Sequence, residues 1–230
     1  PWAMAFLPGT DELVITGRQG DIWLRGPDGV RQVDGAPEVV AAGQGGLGDI
    51  IPDPTFEADG RVYLSWVEGD GGTSGAVVGT GTLDVRDATL TGLAVIWEQT
   101  PKVSGNGHFS HRLAIQGDYL FVSSGDRQKM EPAQEFDGNL GKILRLTLDG
   151  EPAADNPFQG EDSPVAQQFW SMGHRNVLGL AFALPVPDGN GKHHEGDTDD
   201  AYHVPHFAVG NGCSRSDHGV KGKACGKHLA

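Results

Sequence analysis

Apolar and polar residues alternate with a period of two in short runs along most of the chain: Leu13 to Thr16, Asp21 to Arg25, Arg61 to Trp66, Ala76 to Leu83, Ala94 to Trp97, Tyr119 to Ser123, Lys142 to Leu146 and Leu178 to Ala183. That period sends successive side chains to opposite faces of an extended backbone, and it predicts β-strands. Between the runs lie Pro27-Asp28-Gly29, Ala58-Asp59-Gly60, Gln116-Gly117-Asp118 and Asp149-Gly150, residue types that close hairpins and tight turns. The pattern predicts an all-β protein.

A weak repeat is superimposed on these strands. Short apolar stretches at Met4 to Leu7, Ile50-Ile51, Leu113 to Ile115 and Leu180 to Phe182 recur, and three of the four are followed by a turn and a second apolar strand. The steps from Phe6 to Ile51, Ile51 to Ile115 and Ile115 to Phe182 are 45, 64 and 67 positions. Recurrence on this scale, with four strands per unit, suits the blades of a β-propeller; a two-sheet sandwich supplies similar strands without the repeat.

Composition sharpens the picture. The 36 glycines and 14 prolines among 230 residues follow no triplet period, so they serve turns rather than a collagen helix. No stretch of about 20 apolar residues is present to span a bilayer. With 31 acidic against 17 basic residues and a net charge of −14, the chain repels a phosphate backbone, which excludes nucleic acid as an expected partner. Nearly all of that charge lies in residues 1–184, whereas residues 185–230 hold both cysteines, Cys213 and Cys225, and His193, His194, His203, His206, His218 and His228. The contrast divides the chain at about Leu184. In the tail, Cys213 and Cys225 are read as a disulfide or as unstructured residues; with His218 and His228 they have zinc-type chemistry but not the close paired spacing of structural zinc sites. The sequence does not start with Met and carries no signal-peptide pattern, so it reads as a mature, trimmed or partial chain.

Three loops carry candidate chemistry. Gly43-Gln44-Gly45-Gly46-Leu47-Gly48 has the glycine spacing of a dinucleotide fingerprint, but Pro52 and Pro54 follow and stop the helix on which such a site depends. A loop admitting close backbone approach, or a plain turn, is left. Ser104-Gly105-Asn106-Gly107-His108-Phe109 sets an imidazole in a glycine-rich loop ahead of a strand, a place for a general base as well as for an ordinary surface histidine. Asp126, directly after the strand ending at Ser124, is a turn residue or a carboxylate that orients His108. Arg175 and Asn176, in a loop expected to precede a strand, offer a cation and an amide to an anionic or carbonyl oxygen; the plain alternative for Arg175 is an inter-blade salt bridge.

Taken together and in order, these phrases carry more. Pro1-Trp2-Ala3-Met4-Ala5-Phe6-Leu7-Pro8, Gly43-Gln44-Gly45-Gly46-Leu47 with Asp53-Pro54 and Phe56, and Pro101-Lys102-Val103-Ser104-Gly105-Asn106-Gly107-His108-Phe109 are followed by Gly125-Asp126, Leu140-Gly141-Lys142-Ile143-Leu144-Arg145-Leu146, Asp155-Asn156-Pro157-Phe158 and Gly173-His174-Arg175-Asn176 with Gly179-Leu180-Ala181-Phe182. From Pro1 to about Leu184 the sequence closely resembles the soluble aldose sugar dehydrogenases of the glucose/sorbosone dehydrogenase family, which depend on pyrroloquinoline quinone (PQQ). The resemblance implies a six-bladed β-propeller, of which three to four blades are present here, and oxidation of an aldose at its C1 hydroxyl to the lactone, with electrons passing on to an acceptor. It also implies bound PQQ, calcium, and a periplasmic or extracellular location. On the matching positions, His108 is the base and a substrate contact, Asp126 orients and charges it, Arg175 and Asn176 contact the quinone, and Gln44 lines the sugar pocket.

The departures matter as much. His111 stands where a small residue is usual, and Val177-Leu178 replaces a usual Pro-Gln pair. The Glu/Gln-x-Gly-Pro loop that binds calcium in the family has no counterpart in residues 185–230, nor do the later blades, and no metal ligand is assigned. A partial propeller leaves apolar blade faces uncovered, which predicts an open fan or a homo-oligomer. The alternatives to an active dehydrogenase are an inactive fragment, a non-catalytic binding propeller, and a structural β-domain with a metal-binding tail.

Overall fold

The computed structural model describes residues 1–70 and 72–182. Twelve strands form three four-stranded antiparallel sheets, each a meander in chain order. The first contains β1 (Ala3–Phe6), β2 (Leu13–Thr16), β3 (Ile22–Gly26) and β4 (Gly29–Gln32). The second contains β5 (Leu47–Pro52), β6 (Arg61–Asp70), β7 (Thr73–Asp84) and β8 (Thr89–Glu98). The third contains β9 (Ser110–Gln116), β10 (Tyr119–Ser124), β11 (Lys142–Thr147) and β12 (Phe169–Met172). The opening strands lie side by side, β1 against β5 and β5 against β9. Sheets stacked face to face around their first strands are the blades of a β-propeller.

Two cores sit between the blades. Val14, Ile22 and Leu24 of the first pack against Leu47, Ile50, Val62, Leu64, Trp66 and Val77 of the second. Tyr63, Ala76, Val78 and Trp97, on the opposite face of that second blade, pack against Leu113, Leu120, Val122, Leu144 and Phe169 of the third. The middle blade is therefore apolar on both faces, as the nearly continuous apolar run from Val62 to Val67 requires. The first blade has a different outer face: Met4 and Phe6 project from β1 with 60% and 82% of their surface exposed.

The alternating runs from Leu13 to Leu146 are found on strands, and the glycine-rich stretch leads into β5 rather than a helix. Three expectations are corrected. Ala58-Asp59-Gly60 does not form a hairpin turn; Ala58 and Asp59 end a short helix, α1 (Phe56–Asp59), closed by Gly60 and preceded by Asp53, whose Oδ1 accepts the Thr55 N–H and hydroxyl at 2.8 and 2.7 Å. Leu178 to Phe182 is not a strand, because no described segment offers it a hydrogen-bonding ladder; Leu180 and Phe182 instead pack on the outer face of the third blade near Phe121. The loop holding Arg175 and Asn176 consequently follows β12 and precedes no strand among the described residues. The described residues thus contain three blades. The tail with Cys213 and Cys225 lies outside the described residues. No helix among those described is long and apolar enough to cross a membrane.

This packing separates two apolar sites on physical grounds. Leu144→Ala, in the core between the second and third blades, is expected to cost on the order of 2–5 kcal/mol in denaturant unfolding. Phe6→Ser, on the open face, is expected to stay within about 0.5 kcal/mol.

Candidate active site

The site grows from two loops that reverse into and out of neighbouring strands. His108 ends the glycine-rich loop before β9, and Asp126 follows β10. Asp126 Oδ1 lies 2.7 Å from His108 Nδ1 and also accepts the Gln128 N–H at 2.8 Å. A carboxylate brings no proton to such a contact, so Nδ1–H is the donor and the lone pair of His108 sits on Nε2. The Asp126 side chain is 2% exposed and that of His108 13%, a buried orienting carboxylate behind an accessible ring.

The turn from His108 into β9 and the loop after Asp126 are both strained. His108, Ser110 and His111 have φ of 52°, 59° and 47°, and Arg127, Gln128 and Met130 have 51°, 61° and 62°. Left-handed backbone at a residue other than glycine costs about 1–3 kcal/mol and persists only where the surroundings over-determine it. Here the determinant is Arg127. Its buried guanidinium donates to the carbonyl oxygens of Gly105, Gly107 and Ser74 and lies 3.7 Å from the centroid of the Phe109 ring. It has no carboxylate partner among the described residues, and burial lowers its pKa to about 10. Gly125 lets the loops close, since a Cβ there would meet the His108 carbonyl oxygen at 1.8 Å, and its N–H donates to the Phe109 carbonyl at 3.1 Å.

Gln44 and the Arg175 carbonyl join this pair through hydrogen bonds, and Asn176 bonds beside it. Gln44 Oε1 accepts the His108 N–H at 2.7 Å, while the Gln44 N–H donates to the Asn106 carbonyl at 2.8 Å. The Asp126 N–H donates to the Arg175 carbonyl at 2.8 Å, which ties the loop after β12 to the pair. Ser110 Oγ donates to Asn176 Oδ1 at 3.2 Å. The Arg175 side chain is exposed and forms no ion pair among the described residues. The structure thus brings together all five positions, from four loops around the second and third blades.

A cleft of about 100 Å³ adjoins the network, lined by Trp2, Gln44, Phe109, Ser110, His111, Asn176 and Leu178. Gln44 and Asn176 therefore face it, whereas His108, Asp126 and Arg175 do not contribute to its lining. A larger open groove of about 410 Å³, between the loop at Pro8 to Thr10, α1 and the end of β7, shares no residue with the site. Sequence reasoning did not single out Arg127, nor Ser65, whose Oγ lies 3.0 Å from Nδ1 of the cleft residue His111. The signal for Arg127 was its position directly after Gly125-Asp126; its partners are backbone carbonyls, which no side-chain motif reveals. Lys142 is structural: its buried ammonium donates to the Pro132 and Leu140 carbonyls at 2.6 and 2.9 Å, and burial lowers its pKa to about 8 despite the nearby Glu135.

Fold and site define a β-propeller that carries an oriented histidine beside its inner strands. The chain belongs to the glucose/sorbosone dehydrogenase family, whose model matches residues 1–187. It is 40% identical over 185 residues to the aldose sugar dehydrogenase YliI of Escherichia coli, covering 79% of this chain and 50% of that protein. A solved glucose dehydrogenase matches with TM-score 0.76 and 43% identity over 79% of this chain and 54% of its own. The PQQ-bound aldose sugar dehydrogenase of Streptomyces coelicolor matches with TM-score 0.67 and 30% identity, covering 80% and 53%. The chain spans about half the length of these relatives.

The clasp makes a stability prediction. Arg127→Met leaves several buried carbonyls without donors, each worth about 1–3 kcal/mol, and is expected to cost more than about 2 kcal/mol in chemical denaturation. Arg25→Met, on an exposed strand position, is expected to stay within about 0.5 kcal/mol.

Proposed function

We propose that this chain oxidises the C1 hydroxyl of an aldose to the lactone, with PQQ as its redox group. The observation that carries the reading is the 2.7 Å contact of His108 Nδ1 with buried Asp126, in a chain of this family. With Nδ1–H committed to Asp126, the lone pair on Nε2 takes the C1 hydroxyl proton. Asp126 holds the tautomer and stabilises the imidazolium that results. Gln44 accepts the His108 N–H through Oε1 and keeps its amide NH2 for a sugar hydroxyl. PQQ, when bound, supplies the two-electron acceptor for the hydride that leaves C1.

The donor set supports that group. Trp2 gives the cleft an aromatic wall suited to fused rings, Asn176 gives an amide, and exposed Arg175, one residue before Asn176 and outside the lining, gives a cation for a quinone oxygen or a carboxylate. At about 100 Å³ the cleft is smaller than the ~300–1,000 Å³ of complete small-molecule sites, so the described residues fit PQQ as part of its wall. Among them no three His, Cys, Asp or Glu side chains could hold a metal ion, and no calcium site is assigned to them. A periplasmic or extracellular location and an external electron acceptor go with the reading, on the strength of the resemblance.

The test is dye-linked oxidation of glucose and other aldoses with PQQ and Ca²⁺ supplied. His108→Ala is expected to lower kcat by about 10²–10⁴ while changing PQQ affinity only several-fold. Equal turnover in that variant contradicts the assignment of His108.

A further inference from the structure

His111 takes no part in the proton transfer proposed above, yet it is 2% exposed and lines the cleft. Its environment settles its tautomer. Ser65 Oγ lies 2.7 Å from the His111 carbonyl oxygen, and a carbonyl brings no proton, so the serine hydroxyl donates there. The same Oγ accepts the Asp49 N–H at 2.9 Å. Its single proton is spent, so the 3.0 Å contact with His111 Nδ1 is made by Nδ1–H donating to the serine. The other ring nitrogen, Nε2, carries the lone pair, and the hydrogen bonds of His111 among the described residues run through Nδ1 and the backbone, not through Nε2. Gly48 makes room for this ring: a Cβ there would meet His111 Nδ1 and Cε1 at 2.1 Å. Phe109 packs against it edge to face at 6.5 Å.

Resting on the proposed function, we infer that His111 is a binding residue of the cleft, whose Nε2 accepts a hydrogen bond from the pyrrole N–H of PQQ. The pyrrole N–H is the N–H donor that this cofactor carries in its oxidised form, and an acceptor held in one tautomer by a buried serine is ordered before the ligand arrives. Burial, and secondarily the neighbouring Arg112, push the His111 imidazole down to about 3, so the ring remains a neutral acceptor across the working range of pH. The role is distinct from that of His108, whose lone pair faces a substrate proton that it must take.

The test is a long-range proton–nitrogen spectrum of the whole chain labelled with nitrogen-15 in its histidines, recorded before and after saturation with PQQ. The signals of His111 among the nine histidines are assigned by their loss in His111→Phe. The expected free-state pattern is a protonated Nδ1 and an unprotonated Nε2, with Nε2 moving upfield on PQQ binding. His111→Phe, which keeps the ring volume, and Ser65→Ala, which keeps the imidazole but releases its tautomer, are each expected to weaken PQQ binding about tenfold in a fluorescence titration. An Nε2–H tautomer in the free chain, or an Nε2 signal unmoved in a PQQ-saturated chain, overturns the inference while leaving the proposed function standing. Failure of PQQ to bind the wild-type chain overturns the proposed function and the ligand named here together.

Discussion

A 2.7 Å hydrogen bond between Asp126 and His108 joins two loops that Arg127 and backbone hydrogen bonds also hold together. His108 and the first two residues of β9 on one side, and Arg127, Gln128 and Met130 on the other, are non-glycine residues in left-handed backbone, a conformation that needs external enforcement. The enforcement comes from within the pair itself: the residue after Asp126 is Arg127, and its guanidinium grips the carbonyls of the loop that ends at His108. One side chain aims the imidazole and the next holds the backbone that carries it. In the function proposed here, a histidine held in such a frame loses little freedom when substrate arrives, because the order is already present in the free protein.

The blades make that frame possible. The inner strands β5 and β9 lie side by side, so the loops at Gln44 and His108 reach each other across the boundary between two blades. The second blade is packed on both faces, and its Ser65 and Gly48 present a polar notch in an otherwise apolar wall. The two histidines of this junction differ in their setting: His108 ends a loop, and His111 belongs to the opening residues of β9.

Much of this was legible in the residues. Period-two alternation located the strands because most blade positions choose one of two faces, and the tight-turn residues marked their ends. The five candidate positions stand out as phrases in order, and the structure places them near one another: hydrogen bonds link Gln44, His108, Asp126 and the Arg175 carbonyl, and Asn176 bonds to Ser110 beside them. Alternation misled at Leu178 to Phe182, where the side-chain pattern is that of a strand but the backbone has no described partner. It was blind to α1, which is preceded by the Asp53 carboxylate bonding to Thr55. Arg127 escaped because its partners are carbonyl oxygens, which every residue possesses. The role of His111 escaped because its tautomer is set by Ser65, which lies 46 positions away in sequence.

The central claim is that this junction of blades holds PQQ beside an oriented base. Its most direct measurement is an anaerobic absorbance titration of PQQ into the purified chain, followed by a single addition of glucose. The account predicts saturable binding of one PQQ per chain and conversion of its spectrum to that of the reduced cofactor when glucose is added. Absence of saturable binding, or bound PQQ that stays oxidised in the presence of glucose and other aldoses, would contradict it.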